Sequence, residues 1–251
     1  MPSSDPSSGW VMNIQNFSVN DGDGIRTTIF LAGCAMRCPW CANPEGGSLR
    51  NPMTKLMSVD EVVSQVLRQL PFLRVSGGGV TFSGGEPTFQ TGFLRALAGP
   101  LYDAGVGLAI ETCGTFSYLD VADVLAKMDQ IFMDFKHPDP AAHLRWTGRP
   151  LDLVLENLRH VRESGADYVV RIPVIAGVNA DSETITRMLD ILADACPSAK
   201  LEFLPYHKLG FAKYEALGKP TPAGFETPAD ADLAEYQKMA VQRGLEPISY
   251  R

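Results

Sequence analysis

The stretch Gly33-Cys34-Ala35-Met36-Arg37-Cys38-Pro39-Trp40-Cys41 gathers three of the five cysteines of the chain within eight residues, spaced C-x3-C-x2-C. Thiolates are soft ligands. Cysteines this close together in a chain with no sign of secretion indicate an iron–sulfur cluster or zinc rather than disulfides. A [4Fe–4S] cluster usually takes four cysteines, and a structural zinc ion usually takes four ligands. Three cysteines therefore predict a cluster with one iron left open to a substrate or cofactor.

Composition limits the classes of protein that need to be considered. The 251 residues are 45% hydrophobic and 20% charged, which suits one large α/β domain with an ordinary core. A net charge of −7 argues against a broad surface for nucleic acid. The sequence contains no run of 18 apolar residues, so no membrane span is predicted. Residues 1–11, rich in Ser and Pro, are predicted to be a disordered tail, and unpaired thiols favour the reducing cytoplasm.

Apolar, β-branched segments alternate with segments of helical periodicity along the chain. The predicted strands are 26–31, 79–83, 106–111, 130–135, 167–173 and 200–204. The predicted helices are 58–70, 93–104, 118–128, 152–163, 182–195 and 230–243. Strands that alternate with helices form a parallel sheet with helical crossovers. The pattern predicts an α/β fold, a partial or full (β/α) barrel of parallel strands in a single domain.

Polar residues occur at or just after the carboxyl end of each predicted strand. They are the cysteines after strand one, Ser83-Gly84-Gly85-Glu86, Glu111-Thr112, Asp134-Phe135-Lys136, Arg171, and Tyr206-His207. Barrels build their active sites at this rim. Two adjacent glycines at Gly84 and Gly85 would also allow a ligand to approach the backbone without meeting a Cβ atom. We therefore expect one active site that collects these groups.

The cysteine motif resembles that of the radical S-adenosylmethionine (SAM) superfamily. Asp21-Gly22-Asp23-Gly24-Ile25-Arg26 and Asn43-Pro44-Glu45 resemble segments of the enzymes that activate glycyl radical enzymes. The resemblance implies a partial (β/α)6 TIM-like barrel over residues 12–251. It implies that the open iron binds the amino and carboxylate groups of SAM. It also implies an oxidoreductase reaction in which one electron cleaves SAM and the resulting 5′-deoxyadenosyl radical takes a hydrogen atom from a glycine of the partner.

The resemblance also implies a role for individual residues. The [4Fe–4S] ligands would be Cys34, Cys38 and Cys41. The SAM contacts would be Trp40, Ala42, Ser83, Gly84, Gly85, Glu86, Lys136, Arg171 and His207. No general base is expected, because the residues position and shield SAM while the cofactor carries the chemistry.

Two further sites follow from the resemblance. Glu111, the Thr112 backbone and Asp134 would hold a monovalent cation, although the family usually has aspartate where this chain has Glu111. Asp21 and Arg26 would lie close to the glycine loop of the partner, with Asp23 where proline is usual. Ordinary ion pairs are the alternative at the rim: Asp134 with Lys136, and Arg171 with Glu202 or Asp134.

The partner enzyme is less well defined by the sequence. No cysteine lies between Cys41 and Ser83, so the ferredoxin-like insert of many activating enzymes is predicted to be absent. In lacking this insert the chain resembles pyruvate formate-lyase activating enzymes. The segment Cys38-Pro39-Trp40-Cys41-Ala42-Asn43-Pro44-Glu45, by contrast, is closer in sequence to the activating enzymes that carry the insert. The resemblance implies a glycyl radical enzyme as protein substrate and flavodoxin or ferredoxin as electron donor. The chain is expected to be a monomer.

Two other functions are compatible with parts of this pattern. One is a different radical SAM enzyme with a small-molecule substrate, such as a nucleobase-modifying enzyme. The other is a non-enzymatic zinc module, which would need a fourth ligand from Cys113, Cys196 or a distant histidine. The chain has no second C-x2-C or H-x3-H pair to supply one.

Overall fold

A computed structural model describes residues 6–250 of the chain. Its strands are β1 Ser8–Ser18, β2 Arg26–Leu31, β3 Lys55–Ser58, β4 Gly79–Gly84, β5 Gly107–Thr112, β6 Gln130–Asp134, β7 Asp167–Val174, β8 Lys200–Pro205 and β9 Glu246–Pro247. Its α-helices are α1 Val59–Leu67, α2 Leu70–Ser76, α3 Thr91–Asp103, α4 Tyr118–Leu125, α5 Pro140–Thr147, α6 Asp152–Glu163, α7 Ser182–Ala195, α8 Phe211–Ala216 and α9 Asp230–Gln242. Short 3-10 turns occupy Pro44–Gly47 and Pro87–Gln90.

All of these strands belong to one sheet with the order β3-β1-β2-β4-β5-β6-β7-β8-β9. From β2 to β9 the neighbours are parallel, and β1 is antiparallel to both β2 and β3. Within residues 6–250 the two outer strands do not pair, so the sheet stays open. The six predicted strands correspond to β2 and β4 to β8. The predicted partial (β/α)6 barrel is confirmed.

The parallel strands are covered on both faces, as crossover helices require. On the outer face, Leu94, Leu97 and Leu101 of α3 belong to the main core and are fully buried. On the inner face, Ala109, Phe132 and Val169 of β5, β6 and β7 form a separate cluster. Ile248 and Tyr250, which follow β9, pack against that inner cluster. The end of the described chain therefore fills part of the barrel interior.

The amino-terminal prediction is wrong over residues 8–11. β1 begins at Ser8 and pairs with β3, and the Trp10 amide donates to Gln90 Oε1 over 2.8 Å. Residues 1–5 of the predicted tail lie outside the described residues. β1 pairs with both β2 and β3, and its buried and less buried side chains alternate only in its first half, before residues that are mostly exposed.

The predicted helix at 58–70 is two helices in the structure. α1 starts at the Ser58 capping box, in which the Ser58 hydroxyl accepts from the Glu61 amide over 3.2 Å. A new helix, α2, begins at Leu70, with Pro71 in its first turn, where a missing amide hydrogen costs no helical bond. The other predicted helices match α3, α4, α6, α7 and α9 within a few residues. Among the described residues, no helix combines the length and apolarity needed to cross a bilayer.

Replacing Phe132 with alanine should lower the free energy of unfolding by about 3–5 kcal/mol, because the inner cluster loses its largest side chain and a cavity remains. Phe132 is 1% exposed, and its ring lies 5.3 Å from that of Tyr250. The matched control is Phe72→Ala, at a side chain 51% exposed, which should change stability by about 0.5 kcal/mol or less. Urea unfolding followed by circular dichroism measures both, and equal losses would contradict the inner core described here.

Candidate active site

The cysteine loop follows β2 and is held in place through its backbone carbonyls. Arg37 Nη1 donates to Cys34 O over 2.6 Å and to Met36 O over 2.8 Å. Arg149, just after α5, donates from Nε to Ala35 O over 2.9 Å. These arginines satisfy carbonyls that an irregular loop leaves without strand or helix partners. The loop conformation therefore depends on segments that are distant in sequence.

The far end of the loop is fixed by α8. Tyr214 Oη donates to Cys41 O over 3.0 Å. Lys213 Nζ lies 2.6 Å from Glu45 Oε1 and donates to Asn43 Oδ1, also over 2.6 Å. Sequence analysis did not predict α8, because its six residues give too short a pattern to recognise. Its position explains why the segment after Cys41 turns back onto the end of the sheet.

Gly84 and Gly85 allow the cysteine loop to pack directly on the end of β4. Gly84 has φ +125°, and a Cβ atom there would lie 2.2 Å from Leu31 O. A Cβ atom at Gly85 would lie 2.4 Å from Gly33 O and 2.6 Å from Gly46 O. Both approaches are far inside van der Waals contact. The close approach expected for these glycines is thus made by the protein's own backbone, while both residues also line the cavity described next.

A cavity of about 350 Å³ lies at the carboxyl ends of the parallel strands. Of the residues predicted to form the site, it is lined by Cys34, Cys38, Trp40, Cys41, Ala42, Ser83, Gly84, Gly85, Glu111, Thr112, Asp134, Lys136, Arg171 and His207. The predicted convergence of these polar groups on one rim is therefore what the structure shows. Met36, Ile175 and Leu204 add apolar wall to the same cavity.

Glu86 is predicted to contact SAM, but its side chain is not part of the cavity lining. It is 1% exposed, and its carboxylate accepts from Thr112 Oγ1 over 2.8 and 2.9 Å and from the Cys113 amide over 2.7 Å. The Thr88 hydroxyl and amide also donate to Glu86 Oε1. The carboxylate accepts hydrogen bonds only from groups of the protein itself among the described residues, and these bonds link the turn after β4 to the end of β5. A direct contact between this carboxylate and SAM is therefore not supported.

The predicted partner contacts, Asp21 and Arg26, also lie outside the cavity lining. Arg26 opens β2, at the end of the sheet opposite the cavity, and is only 5% exposed. Its guanidinium donates to Thr81 Oγ1 over 2.6 Å and to Val80 O over 2.7 Å. Asp21 accepts from the Thr28 hydroxyl over 2.6 Å. The Arg26 side chain thus braces the strands at the start of β2, and its contact with a partner stays a prediction.

The acidic residues of the predicted cation site are already paired with cationic side chains. Lys136 Nζ lies 2.5 Å from Asp134 Oδ2, and Arg171 forms an ion pair with Glu111. Burial lowers the pKa of Lys136, but Asp134 together with Cys38 and Cys113 raises it, and the net pKa lies above its usual value. Burial raises the pKa of Glu111, and Arg171 opposes that rise. The Asp134–Lys136 pair was one of the expected alternatives, whereas the Arg171–Glu111 pair was not predicted. A monovalent cation would have to compete with both pairs.

Arg171 is positioned by a chain of bonds that reaches the carboxyl-terminal segment. Arg171 Nε lies 2.8 Å from Glu202 Oε2, and both side chains are more than nine-tenths buried. Glu202 Oε1 in turn accepts from the Tyr250 amide over 3.0 Å. The guanidinium also lies over the Phe132 ring, 3.8 Å from its centre. Packing inside the barrel therefore fixes how Arg171 faces the cavity.

Tyr206 and Cys113 line the cavity, although the sequence analysis assigned neither of them a contact with SAM or with an iron–sulfur cluster. Tyr206 is 7% exposed, and its hydroxyl has no hydrogen-bond partner among the described residues. The signal for it was its position next to His207 in the segment that follows β8. Cys113 is buried beside Cys34, and the hydrogen bond between their thiols lowers the pKa of Cys34 and raises that of Cys113.

The three predicted ligands differ in their surroundings. Burial raises the pKa of Cys38 to about 12 and also raises that of Cys41. All three are free thiols. Among the described residues, no group of three or more His, Cys, Asp and Glu side chains is arranged to hold a metal ion.

Comparison with known proteins agrees with this geometry. The radical SAM superfamily matches residues 28–189. The pyruvate formate-lyase 2-activating enzyme of Escherichia coli K12 is 33% identical over 265 aligned positions, covering 94% of this chain and 90% of that enzyme. The isethionate sulfite-lyase activating enzyme of Nitratidesulfovibrio vulgaris is 33% identical over 285 positions, covering 89% and 92%. A solved domain of a pyruvate formate-lyase-activating enzyme from Bacteroides vulgatus superposes with a TM-score of 0.58 at 28% identity, over 68% of this chain and 98% of that domain.

The chain belongs to the radical SAM superfamily. Within the superfamily it belongs with the pyruvate formate-lyase activating enzymes, a group that activates glycyl radical enzymes. This membership implies a [4Fe–4S] cluster and SAM, and the residues present fit both. Three free thiols supply the donor set that iron–sulfur clusters use. The cavity beside them carries cationic, acidic and hydroxyl groups, including the unpartnered Tyr206 hydroxyl, which suit the carboxylate, ammonium and ribose of SAM.

Replacing Gly85 with alanine should reduce the iron bound after anaerobic reconstitution several-fold, because the new methyl group forces the cysteine loop away from β4. Gly47→Ala is the matched control, since a Cβ atom there meets nothing within 4 Å and Gly47 lies in the same loop region. Iron and sulfide analysis measures the effect, and circular dichroism confirms that the sheet remains. Equal iron content in the two variants would contradict the packing role assigned to Gly85.

Glu202→Ala should destabilise the fold by about 3–5 kcal/mol, because it leaves the buried Arg171 charge with one partner fewer. The control is Asp123→Ala, which removes the Arg95–Asp123 pair, whose side chains are 43% and 54% exposed. That loss should cost about 1 kcal/mol or less. Urea denaturation compares the two. A Glu202→Ala variant as stable as the control would show that Arg171 does not depend on this carboxylate.

Proposed function

We propose that the chain holds one [4Fe–4S] cluster on Cys34, Cys38 and Cys41, binds SAM in the adjoining cavity, and installs a glycyl radical on a partner enzyme. The observation that carries the proposal is the convergence of the three free thiols and the predicted polar groups on one cavity of about 350 Å³. The family to which the chain belongs supports the same reaction.

When bound, the cluster supplies the electron that cleaves SAM, and the radical made from SAM removes a hydrogen atom from the partner's glycine. The residues of this chain bind, orient and shield. Lys136 and Arg171 present positive charge to the SAM carboxylate, and their acidic partners keep both side chains in place. Ser83, Gly84 and Gly85 offer the end of β4 to the ammonium group. Trp40, within the cysteine loop, and Ala42, just after it, line the cavity and would contact SAM.

Two groups on the segment after β8 complete the proposed contacts. His207 lines the cavity at its exposed edge, and Tyr206 lies deeper, with its hydroxyl buried in the wall. We assign both to the ribose and adenine end of SAM. The apolar side chains of Met36, Ile175 and Leu204 limit water near the reacting bond, and a carbon radical requires this exclusion of water.

A monovalent cation at Glu111, Thr112 and Asp134 is a weaker part of the proposal, because ion pairs already use both carboxylates.

The protein substrate is a glycyl radical enzyme, pyruvate formate-lyase or a related one. The alignment with the isethionate sulfite-lyase activating enzyme spans 285 positions against the 251 residues of this chain, so that relative carries segments that this chain lacks. The shorter chain supports a single cluster and no ferredoxin-like insert. We place the protein in the cytoplasm as a monomer that receives electrons from flavodoxin or ferredoxin.

The direct test is electron paramagnetic resonance of a candidate partner after anaerobic incubation with the reconstituted protein, SAM and a reductant. A glycyl radical signal that requires all three components is the expected result, together with activity of the partner. If 5′-deoxyadenosine forms but no candidate partner gains a radical, the chain is a radical SAM enzyme with another substrate. If metal analysis finds one zinc and no sulfide, the proposed chemistry is wrong altogether.

Cys38→Ala should abolish 5′-deoxyadenosine formation and leave the thermal unfolding transition near that of the wild type, because two cysteines do not hold the cluster. Cys196→Ala is the control: Cys196 is fully buried beside Tyr168, away from the cavity, and its loss should leave SAM cleavage intact. Chromatography of the products measures cleavage. Production of 5′-deoxyadenosine by Cys38→Ala would refute the ligand assignment.

A further inference from the structure

A second cavity, of about 530 Å³, lies on the outer side of the cysteine loop. Cys34, Cys38 and Cys41 line both cavities. The remaining wall of the second cavity comes from the loop itself, α5, and the segment after α8, through Arg37, Pro39, Trp146, Lys219, Pro220 and Phe225. The proposed cluster site therefore lies between the SAM cavity and an open groove, which we call the outer groove.

The outer groove is apolar at its centre. Trp146 and Phe225 pack edge to face with their ring centres 6.0 Å apart, and Pro39 and Pro220 are exposed beside them. Leu144, two residues before Trp146 on α5, is 52% exposed. An apolar centre with a polar rim is the usual arrangement of a protein–protein contact. The groove therefore suits a protein surface rather than a small polar ligand.

The rim of the outer groove is basic although the chain is acidic. Residues 34–50, 140–151 and 206–226 together carry seven Lys and Arg against three Glu, whereas the whole chain has a net charge of −7. Glu45 and Glu226 are paired with Lys213 and Lys208. Within the described residues, no carboxylate lies within ion-pair distance of Arg37, Arg145, Arg149 or Lys219. A positive field therefore surrounds the opening.

We propose that the outer groove and its basic rim bind an acidic one-electron donor protein, which passes its electron to the cluster from outside the barrel. This inference rests on the proposed function, because it needs a cluster on the three cysteines. Charge complementarity selects an acidic partner and raises the rate of encounter. Because the three cysteines line the outer groove as well as the inner cavity, a donor in the groove would reach the cluster without crossing the SAM site. One electron leaves the reduced donor and reduces the cluster, and no bond is made between the proteins.

Arg145 is the residue best suited to test the groove. Its guanidinium lies over the Trp146 ring, 4.7 Å from its centre, and it is exposed on α5. It lines neither cavity. Lys127 is a matched control, because its ammonium lies over the Tyr102 ring at 5.0 Å and follows α4, at the opposite end of the barrel. Charge reversal at each position removes one cation from an aromatic ring, near the groove or far from it.

The experiment measures the rate of cluster reduction by stopped-flow absorbance, with reduced flavodoxin as the acidic probe. For the wild type we expect the rate to fall about tenfold or more between low and high ionic strength, because salt screens the attraction. Arg145→Glu should slow the reaction about threefold to tenfold at low salt and match the wild type at high salt, whereas Lys127→Glu should have no effect. Reduction by photoreduced deazariboflavin, which is uncharged, should be the same for all three proteins.

Several results would overturn the inference. One is a rate of cluster reduction in the wild type that does not change with salt concentration. This result involves no variant, so misfolding of a variant cannot explain it. Another is an Arg145→Glu rate equal to that of Lys127→Glu at low salt. A third is normal reduction of Arg145→Glu by flavodoxin but weaker radical installation on the glycyl radical enzyme with deazariboflavin, which would assign the groove to that partner. Failure of the proposed function gives different results: either the wild type forms no 5′-deoxyadenosine with any reductant, or it forms 5′-deoxyadenosine and no candidate partner gains a glycyl radical.

Discussion

The arrangement depends on the close backbone contact between the cysteine loop and the end of β4. Gly85 lies against the carbonyls of Gly33 and Gly46, one on each side of the three cysteines, at a distance that no side chain would permit. This contact fixes both ends of an irregular segment that has no ladder of its own hydrogen bonds. Carbonyls within the segment accept hydrogen bonds from its own Arg37, from Arg149 after α5 and from Tyr214 of α8. The thiols acquire a defined position because their loop is held from four sides.

The buried cations that line the cavity are each paired with a carboxylate. Arg171 bridges two acidic residues from β5 and β8, and Lys136 is paired with Asp134 two residues before it. Unpaired, these charges would be too costly to bury. Paired, they present a preorganised polar surface to the cavity. Because Lys136 and Arg171 already neutralise Asp134 and Glu111, little negative charge is available to bind a monovalent cation. The geometry therefore gives the predicted cation site the least support.

The cysteine loop separates two environments that the reaction keeps apart. The inner cavity is lined by paired charges and apolar walls, and it is where a carbon radical must meet one bond only. The outer groove is apolar at its centre and basic at its rim. The three cysteines line both cavities, so a cluster held on them as proposed would be open to SAM on one side and to an electron donor on the other. The partial barrel makes this division by covering the carboxyl end of its strands with one loop.

Local sequence patterns determined much of this protein. The spacing of three cysteines predicted the cluster ligands, because residues so near in sequence lie on one loop. Periodicity identified the six parallel strands, and the position of polar residues at their ends predicted the rim. Tertiary structure decided what local patterns do not encode: that Glu86 and Arg26 turn inward to bind backbone and hydroxyl groups, that β1 starts at Ser8, and that Tyr250 reaches Glu202. The reason is that the direction of a buried side chain depends on partners far away in the sequence, and only the assembled barrel brings those partners together.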